Sequence, residues 1–419
     1  MLNRALSLIF LVSLLGSCAP LRSGERSRSN AFTAYFGGEQ NDGTLRVAVK
    51  DLIDMKGMVT SAGSEYLSKN RPPAKRDADC LAITRARKDV QIVGKANLTE
   101  FAITVSGRNG YFGTPVNRLD GKHKFIPGGS SSGSAVAVST GQADVAFGTD
   151  TGGSVRVPAA CCGIYGLKTT FGLVSTKGVF PVSPKYLDTV GPMAADLPHL
   201  VEGMGLLQQG FKGRYSSAVS ANPSARQIRI GRLYIAGTDP AIDKAIDDRL
   251  AAKGFKIVKL DADFAKKWAQ AEADGETIAT SDAWKNDSKY TDSFEIDSNT
   301  RAVLAKGAVD RVTGFDAAVK RRAAWKKALA RVFQKVDFIA TPTLKILPPR
   351  LPFWRSTSIF ELIILNAQNT IGINLSGNPG LAMPIEMPES NVPTSLQLIG
   401  PPLSEAELLN ACRLLQIKP

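Results

Sequence analysis

Along the chain, short apolar runs with period-two alternation are interleaved with stretches of helical spacing. Thr44 to Lys50 puts Val47 and Val49 on one face and Arg46, Ala48 and Lys50 on the other, which predicts a strand ending at Lys50. Val90 to Val93 predicts a second apolar strand leading into Gly94-Lys95-Ala96-Asn97, and Asp77 is placed to cap a helix running to about Arg87. Ser134 to Thr140 reads as a helical stub of small residues, Asp144 to Phe147 as a buried strand, and Pro158 to Cys162 as the opening of another helix. Residues 205–335 read as mostly helical; Trp325, Leu329 and Val332 fall at i, i+4 and i+7 and make one apolar stripe. Val336 to Thr341 returns to strand character before Pro342, and Ser404 to Gln416 is an amphipathic helix. Alternating strands and helices predict an α/β fold, with a mixed central β-sheet covered by helices on both faces. No fixed-period repeat and no long linker divides the chain, so one domain is expected.

Composition agrees with a packed core: 43% of the 419 residues are hydrophobic. The formal charge of +14 is unevenly spread. Residues 301–335 hold ten Lys or Arg against Asp310 and Asp316, directly after a 261–300 stretch with ten Asp or Glu against four Lys. Mutual neutralisation on the folded surface is the simplest reading; a basic stripe for anionic lipid or polymer is the alternative. Nucleic acid is not expected as a partner, because neither an aromatic-interleaved basic platform nor zinc-ligand spacing accompanies the charge.

The N-terminus has the proportions of an export signal. Met1-Leu2-Asn3-Arg4 is a basic head, and Ala5 to Gly16 is an apolar run too short to span a bilayer as an anchor. It ends in Leu15-Gly16-Ser17-Cys18, which resembles the bacterial lipobox, in which the Cys is lipidated and becomes the mature N-terminus. Cleavage after Ala19 is the alternative, disfavoured by Pro20. The expectation is a signal over residues 1–18, a flexible tether over 19–30, and attachment through Cys18 to a membrane facing the periplasm or cell surface. Four cysteines then remain, of which the adjacent Cys161 and Cys162 are expected to be buried small hydrophobes.

Candidate chemistry lies in two glycine-supported serine stretches, Gly128-Gly129-Ser130-Ser131-Ser132-Gly133-Ser134 and Gly148-Thr149-Asp150-Thr151-Gly152-Gly153-Ser154-Val155-Arg156. A phosphate loop would need Lys and Ser or Thr after the second Gly, where Ser134-Ala135 stands. Glycines let backbone N–H groups converge on a developing oxyanion without Cβ interference, which suits acyl transfer; Thr151, Gly152, Gly153 and Ser154 are the candidate donors. A serine nucleophile needs a base, and the only histidines, His123 and His199, lie in no triad-like motif. A lysine kept neutral by burial is the other solution.

These residues resemble the amidase signature hydrolases. Val47-Ala48-Val49-Lys50-Asp51, Gly94 to Ala102, the two Gly/Ser stretches, Cys162 to Lys168 and Leu187 to Ala194 carry the resemblance, with Asn374 to Pro379 and Gln397 to Gly400 following more loosely. Ser130 and Ser154 stand 24 residues apart, a spacing that also looks like the family's. The resemblance implies a single amidase domain over residues 31–419, with 205–335 as a substrate-side region. It implies a Ser-Ser-Lys triad: Ser154 as nucleophile, Ser130 as bridging serine behind a cis peptide, and Lys50 as base. Lys95, also at a strand end, matches a motif that is structural in the family. Ser131 and Asp150 are expected to support the network and Arg156 to order the loop. The expected substrate is a small-molecule amide, with no metal or organic cofactor.

The chain departs from the family in the few residues ahead of Lys50, so neither substrate size nor oligomeric state carries over. Thr169 stands where the family commonly has Pro, and Ser132 where Gly is commoner. Two other readings stay open: a glutamine-dependent amidotransferase A-type subunit, and a catalytically inactive, lipid-anchored binding protein.

Overall fold

A computed structural model describes residues 29–37, 43–119, 125–222, 224–351, 358–387 and 390–416. The segment expected to be an export signal, Cys18 and His123 lie outside the described residues.

Among the described residues, eleven strands form one sheet: β1 (Phe32–Tyr35), β2 (Leu45–Lys50), β3 (Val90–Ala96), β4 (Val145–Asp150), β5 (Tyr165–Lys168), β6 (Thr189–Ala194), β7 (Arg229–Arg232), β8 (Lys256–Lys259), β9 (Phe338–Pro342), β10 (Gly380–Met387) and β11 (Ser390–Ile399). Their order is β1-β3-β2-β4-β6-β5-β10-β11-β9-β7-β8. The sheet is mixed: β2 runs parallel to β3 and β4, and β7 to β8 and β9, while antiparallel pairs join these groups through β6, β5, β10 and β11.

Period-two alternation buries both faces. In β9, Phe338 and Ala340 pack into one core cluster and Ile339 into another. In β2 and β4, Val47, Val49, Val145 and Phe147 share one cluster while Ala48 and Ala146 join a second. Small residues are needed on that second face because the helix Ser132–Ser139, buried from Ser132 to Val138, lies close against the sheet. A Cβ on Gly133 would stand 2.3 Å from the Ala31 carbonyl oxygen.

The region read as helical holds the helices Phe211–Ala221, Pro240–Ala252, Ala262–Asp287, Ser298–Thr313 and Phe315–Phe333. It also supplies β7 and β8, which the apolar pattern did not announce. They have four residues each, every one exposed in β8; β7 pairs with β9, which is distant in sequence, and β8 pairs with β7 at the edge of the sheet. Asp77 does not cap a helix: its Oδ1 accepts the Lys56 N–H at 2.9 Å and pairs with Arg85, and the chain enters a 3-10 turn at Asp79. Neutralisation of the acidic and basic stretches occurs within the molecule, through Lys306 with Glu276, Arg311 with Asp282 and Arg321 with Asp274.

The helices Ala262–Asp287 and Phe315–Phe333 are locked by Phe264, Trp268 and Trp325, whose rings stack or meet edge to face. Their indoles reach a third element: Trp268 Nε1 donates to Asn369 Oδ1 at 2.6 Å, and Trp325 Nε1 to the Gly372 carbonyl at 2.7 Å. The segment 369–372 thereby becomes a fixed wall.

Candidate active site

Because β2 and β4 are parallel neighbours, their C-terminal ends deliver Lys50 and Thr149-Asp150 side by side. The Lys50 side chain is fully buried, donating to Ser130 Oγ at 2.7 Å and Thr149 Oγ1 at 2.8 Å. Burial disfavours its charged form, and Asp150 and Asp188 oppose that only in part, so the ammonium is pushed down to about 7. Ser130 enters the loop ahead of the helix Ser132–Ser139 through a cis Gly129–Ser130 peptide. The Ser131 N–H donates to the Ser154 carbonyl at 3.2 Å, joining the two serine loops.

Ser154 lies between β4 and the helix Arg156–Cys162 and is held from both sides by one carboxylate. Asp150 accepts the Gly153 N–H at 2.8 Å and the Val155 N–H at 3.1 Å. Its remaining lone pairs take Arg156 Nε and Nη2 at 3.0 and 2.9 Å and Asn374 Nδ2 at 2.8 Å. Burial works against ionised Asp150, yet the Arg156 guanidinium holds its carboxyl well below the usual carboxylate range. Arg156 in turn reaches the Thr370 carbonyl, Asn374 Oδ1 and Gln397 Oε1 at 2.9, 2.6 and 2.6 Å. This buried guanidinium ties the serine loop to the 369–374 wall and to β11.

The geometry revises one expected donor. The Gly153 N–H is committed to Asp150, and Gly153 does not line the cavity beside Ser154, whereas Thr151 and Gly152 do. Gly153 is instead required by space and conformation: its φ is +127°, and a Cβ would fall 2.2 Å from Thr370 Oγ1. Thr151 Oγ1 donates to Asp188 Oδ1 at 2.7 Å, and Thr370 Oγ1 to the Gly152 carbonyl at 2.6 Å, so the turn is braced from both flanks.

Ser154, 8% exposed, opens on a cavity of about 110 Å³ lined also by Ile103, Val182, Ala279, Val303, Leu365 and Ile371. Much of one wall comes from the helices Ala262–Asp287 and Ser298–Thr313. A cavity of about 440 Å³ around Glu65, Glu100 and Arg108 is lined by none of Ser130, Thr149, Thr151 and Ser154.

Lys95 is placed differently from Lys50. Its Nζ forms a buried ion pair with Asp51 at 2.6 Å and donates to Thr60 Oγ1 and the Val59 carbonyl, away from both serines. His199 sits on the surface against Asp196. Cys80, Cys161, Cys162 and Cys412 are buried free thiols. Pattern reading gave no role to Thr149, Asp188, Thr370, Asn374 and Gln397. All but Thr370 lie in stretches that carry the resemblance, but nothing in their local sequence shows which side chain each one meets. Lys168 was also missed: it is fully buried, donates to the Thr169 and Asn378 carbonyls, and is pushed down to about 7 by burial and by Arg156.

Residues 44–409 match the protein family described as Amidase. The chain belongs to that family. It is 31% identical over 415 residues to the A-type subunit of the glutamyl-tRNA(Gln) amidotransferase of Halobacterium salinarum, covering 88% of this chain and 94% of that relative. With the 2-amino-5-chloromuconic acid deaminase of Comamonas testosteroni it shares 29% identity over 432 residues, 95% of this chain and 90% of the relative. Among solved structures, the A-type subunit of the Thermotoga maritima glutamyl-tRNA(Gln) amidotransferase overlays with a TM-score of 0.76 at 24% identity, over 95% of this chain and 89% of that one. A bacterial aryl acylamidase gives 0.76 at 20% identity, over 89% and 82%. At those identities the two structures establish the fold, an amidase-signature α/β domain. Family membership carries the general chemistry of these amidases, hydrolysis of carbon–nitrogen amide bonds.

Proposed function

We propose that this amidase hydrolyses linear, non-peptide amides through an acyl-enzyme on Ser154, with Ser130 and Lys50 as the proton relay. The observation that carries the reading is the environment of Lys50: a fully buried lysine whose hydrogen bonds go to two hydroxyls, one of them on Ser130. Among the described residues no carboxylate forms an ion pair with it. A lysine so placed is neutral in a large fraction of molecules near pH 7 and can act as a base.

Neutral Lys50 takes a proton from Ser130 as Ser130 takes one from Ser154, and Ser154 Oγ attacks the amide carbonyl. The oxygen that becomes negative is held by N–H groups of the Thr151–Gly152 turn. The carbon–nitrogen bond breaks as Ser130 returns a proton to the departing amine and is reprotonated by Lys50. Water then adds to the acyl-Ser154 ester by the same relay, freeing the acid and restoring Ser154.

A fluorophosphonate probe tests the assignment without knowledge of the substrate. Covalent labelling is expected in the wild type and absent in Ser154→Ala; a folded wild type that takes no label and leaves a panel of aryl and alkyl amides intact is an inactive binding protein. The second reading, a glutamine-dependent amidotransferase component, is favoured by the likeness to the Halobacterium relative. Glutamine hydrolysis that depends on a partner protein, with no turnover of simple amides by the isolated chain, would establish it instead. We also propose export and lipid attachment at Cys18. Expressed in a bacterium, the wild type should then fractionate with membranes and Cys18→Ala should not.

A further inference from the structure

Beside the Ser154 cavity lies a larger one, of about 470 Å³, lined by Tyr234, Ile235, Trp268, Glu272 and Lys345 among others. Glu276, Leu365, Gln368 and Ile371 line both, so these four side chains stand between the two spaces as a closed neck. Leu365 and Ile371 are apolar. Glu276 is held by Lys306 at 3.2 Å, and Glu272, further in, accepts the Gly372 N–H at 2.7 Å.

Gln368 is the exception. It is 8% exposed, and its Oε1 is buried with no hydrogen-bond partner. Its neighbour shows how unusual this is: Asn369 Oδ1 accepts from Trp268, Asn369 Nδ2 donates to the Pro342 carbonyl, and the Asn369 carbonyl accepts from Gln397. A buried acceptor left unpaired destabilises a fold, and its persistence beside a reactive serine calls for a ligand that completes it.

We propose that Gln368 is a specificity-determining residue whose Oε1, buried while the neck is closed, accepts a hydrogen bond from a substrate that parts the four side chains. The substrate is then an amide long enough to leave the Ser154 cavity, carrying an O–H or N–H on the part that passes Gln368. Plain alkyl amides are disfavoured because they leave the acceptor unpaired. The proposal rests on Ser154 being the nucleophile.

The experiment uses two series of fluorophosphonates, with n-alkyl tails and with ω-hydroxyalkyl tails of matched length. The readout is the second-order rate of Ser154 labelling. At the chain length that brings the hydroxyl to Gln368, the hydroxyl tail should react about tenfold faster than its alkyl match, the worth of one hydrogen bond in a buried site. Gln368→Met, similar in shape but without the acceptor, should erase that preference by speeding the alkyl tails and slowing the hydroxyl ones. Gln368→Glu, which keeps an acceptor oxygen, should retain the preference and so controls for folding. Equal rates for the two series at every length, or an undiminished preference in Gln368→Met, overturns the role of Gln368 while leaving Ser154 labelling intact. A wild type that does not label at Ser154 overturns both readings.

Discussion

Replacing Lys50 by Met should inactivate the protein and make it more stable. Lys50 lies near 7 in the fold against 10.5 for a free lysine, so between those values the unfolded chain holds a proton that the folded chain lacks. Wild-type stability therefore rises with pH across this window. Keeping the side chain buried costs about 4 kcal/mol at pH 7, about 2 kcal/mol at pH 9 and nothing well above 10.5. Met fills the same channel without a charge to desolvate. Against this, the variant loses the hydrogen bonds to Ser130 and Thr149, about 1 kcal/mol each. The balance favours Lys50→Met by about 2 kcal/mol at pH 7 and by about nothing at pH 9. Urea unfolding at the two pH values, read at unchanged m, measures the difference, and fluorophosphonate labelling checks that Ser154 is silenced. A variant less stable than wild type at pH 7, or one whose difference is the same at both pH values, would show that Lys50 is charged in the fold. The relay would then have no base.

Arg156→Leu leaves Asp150 ionised and buried without its guanidinium, and should lower unfolding stability by about 3–5 kcal/mol, with part of the loss recovered in Asp150→Asn/Arg156→Leu. Additive effects in that cycle would rule out the clamp. Lys95→Met should destabilise by a similar amount, about 3–5 kcal/mol, by stranding Asp51. Unlike Lys50→Met, it should preserve the labelling rate of Ser154 in the folded fraction, and loss of labelling in folded Lys95→Met would move the base to Lys95.

Much of this protein is local and therefore legible in one dimension. Alternation in Thr44 to Lys50 announces a strand ending on a lysine, because side chains of a strand point to opposite faces whatever it pairs with. The stripe at Trp325 and Leu329 announces a buried helix face for the equivalent reason. Glycine and serine density marked both loops that carry the candidate serines. The short strands β7 and β8 were not legible, because four residues become a strand only through their pairing: distant β9 supplies the ladder for β7, and β7 in turn holds the exposed β8.

Non-local contacts also decided the character of each lysine. Lys50 and Lys95 both end apolar strands, and in the sequence only the resemblance of their motifs to a family separates them. The fold gives one two hydroxyls and the other a buried carboxylate, and desolvation does the rest. Gly153 reads as an oxyanion donor until Asp150 is seen to take its N–H, and Gln368 reads as one polar residue among many until the wall around it leaves its carbonyl oxygen alone. Most elements and the candidate reactive groups were readable from the residues in order, since propensity, periodicity and functional-group chemistry are properties of short segments. Charge state and pairing emerged only on folding, because they depend on burial and on partners brought from elsewhere in the chain.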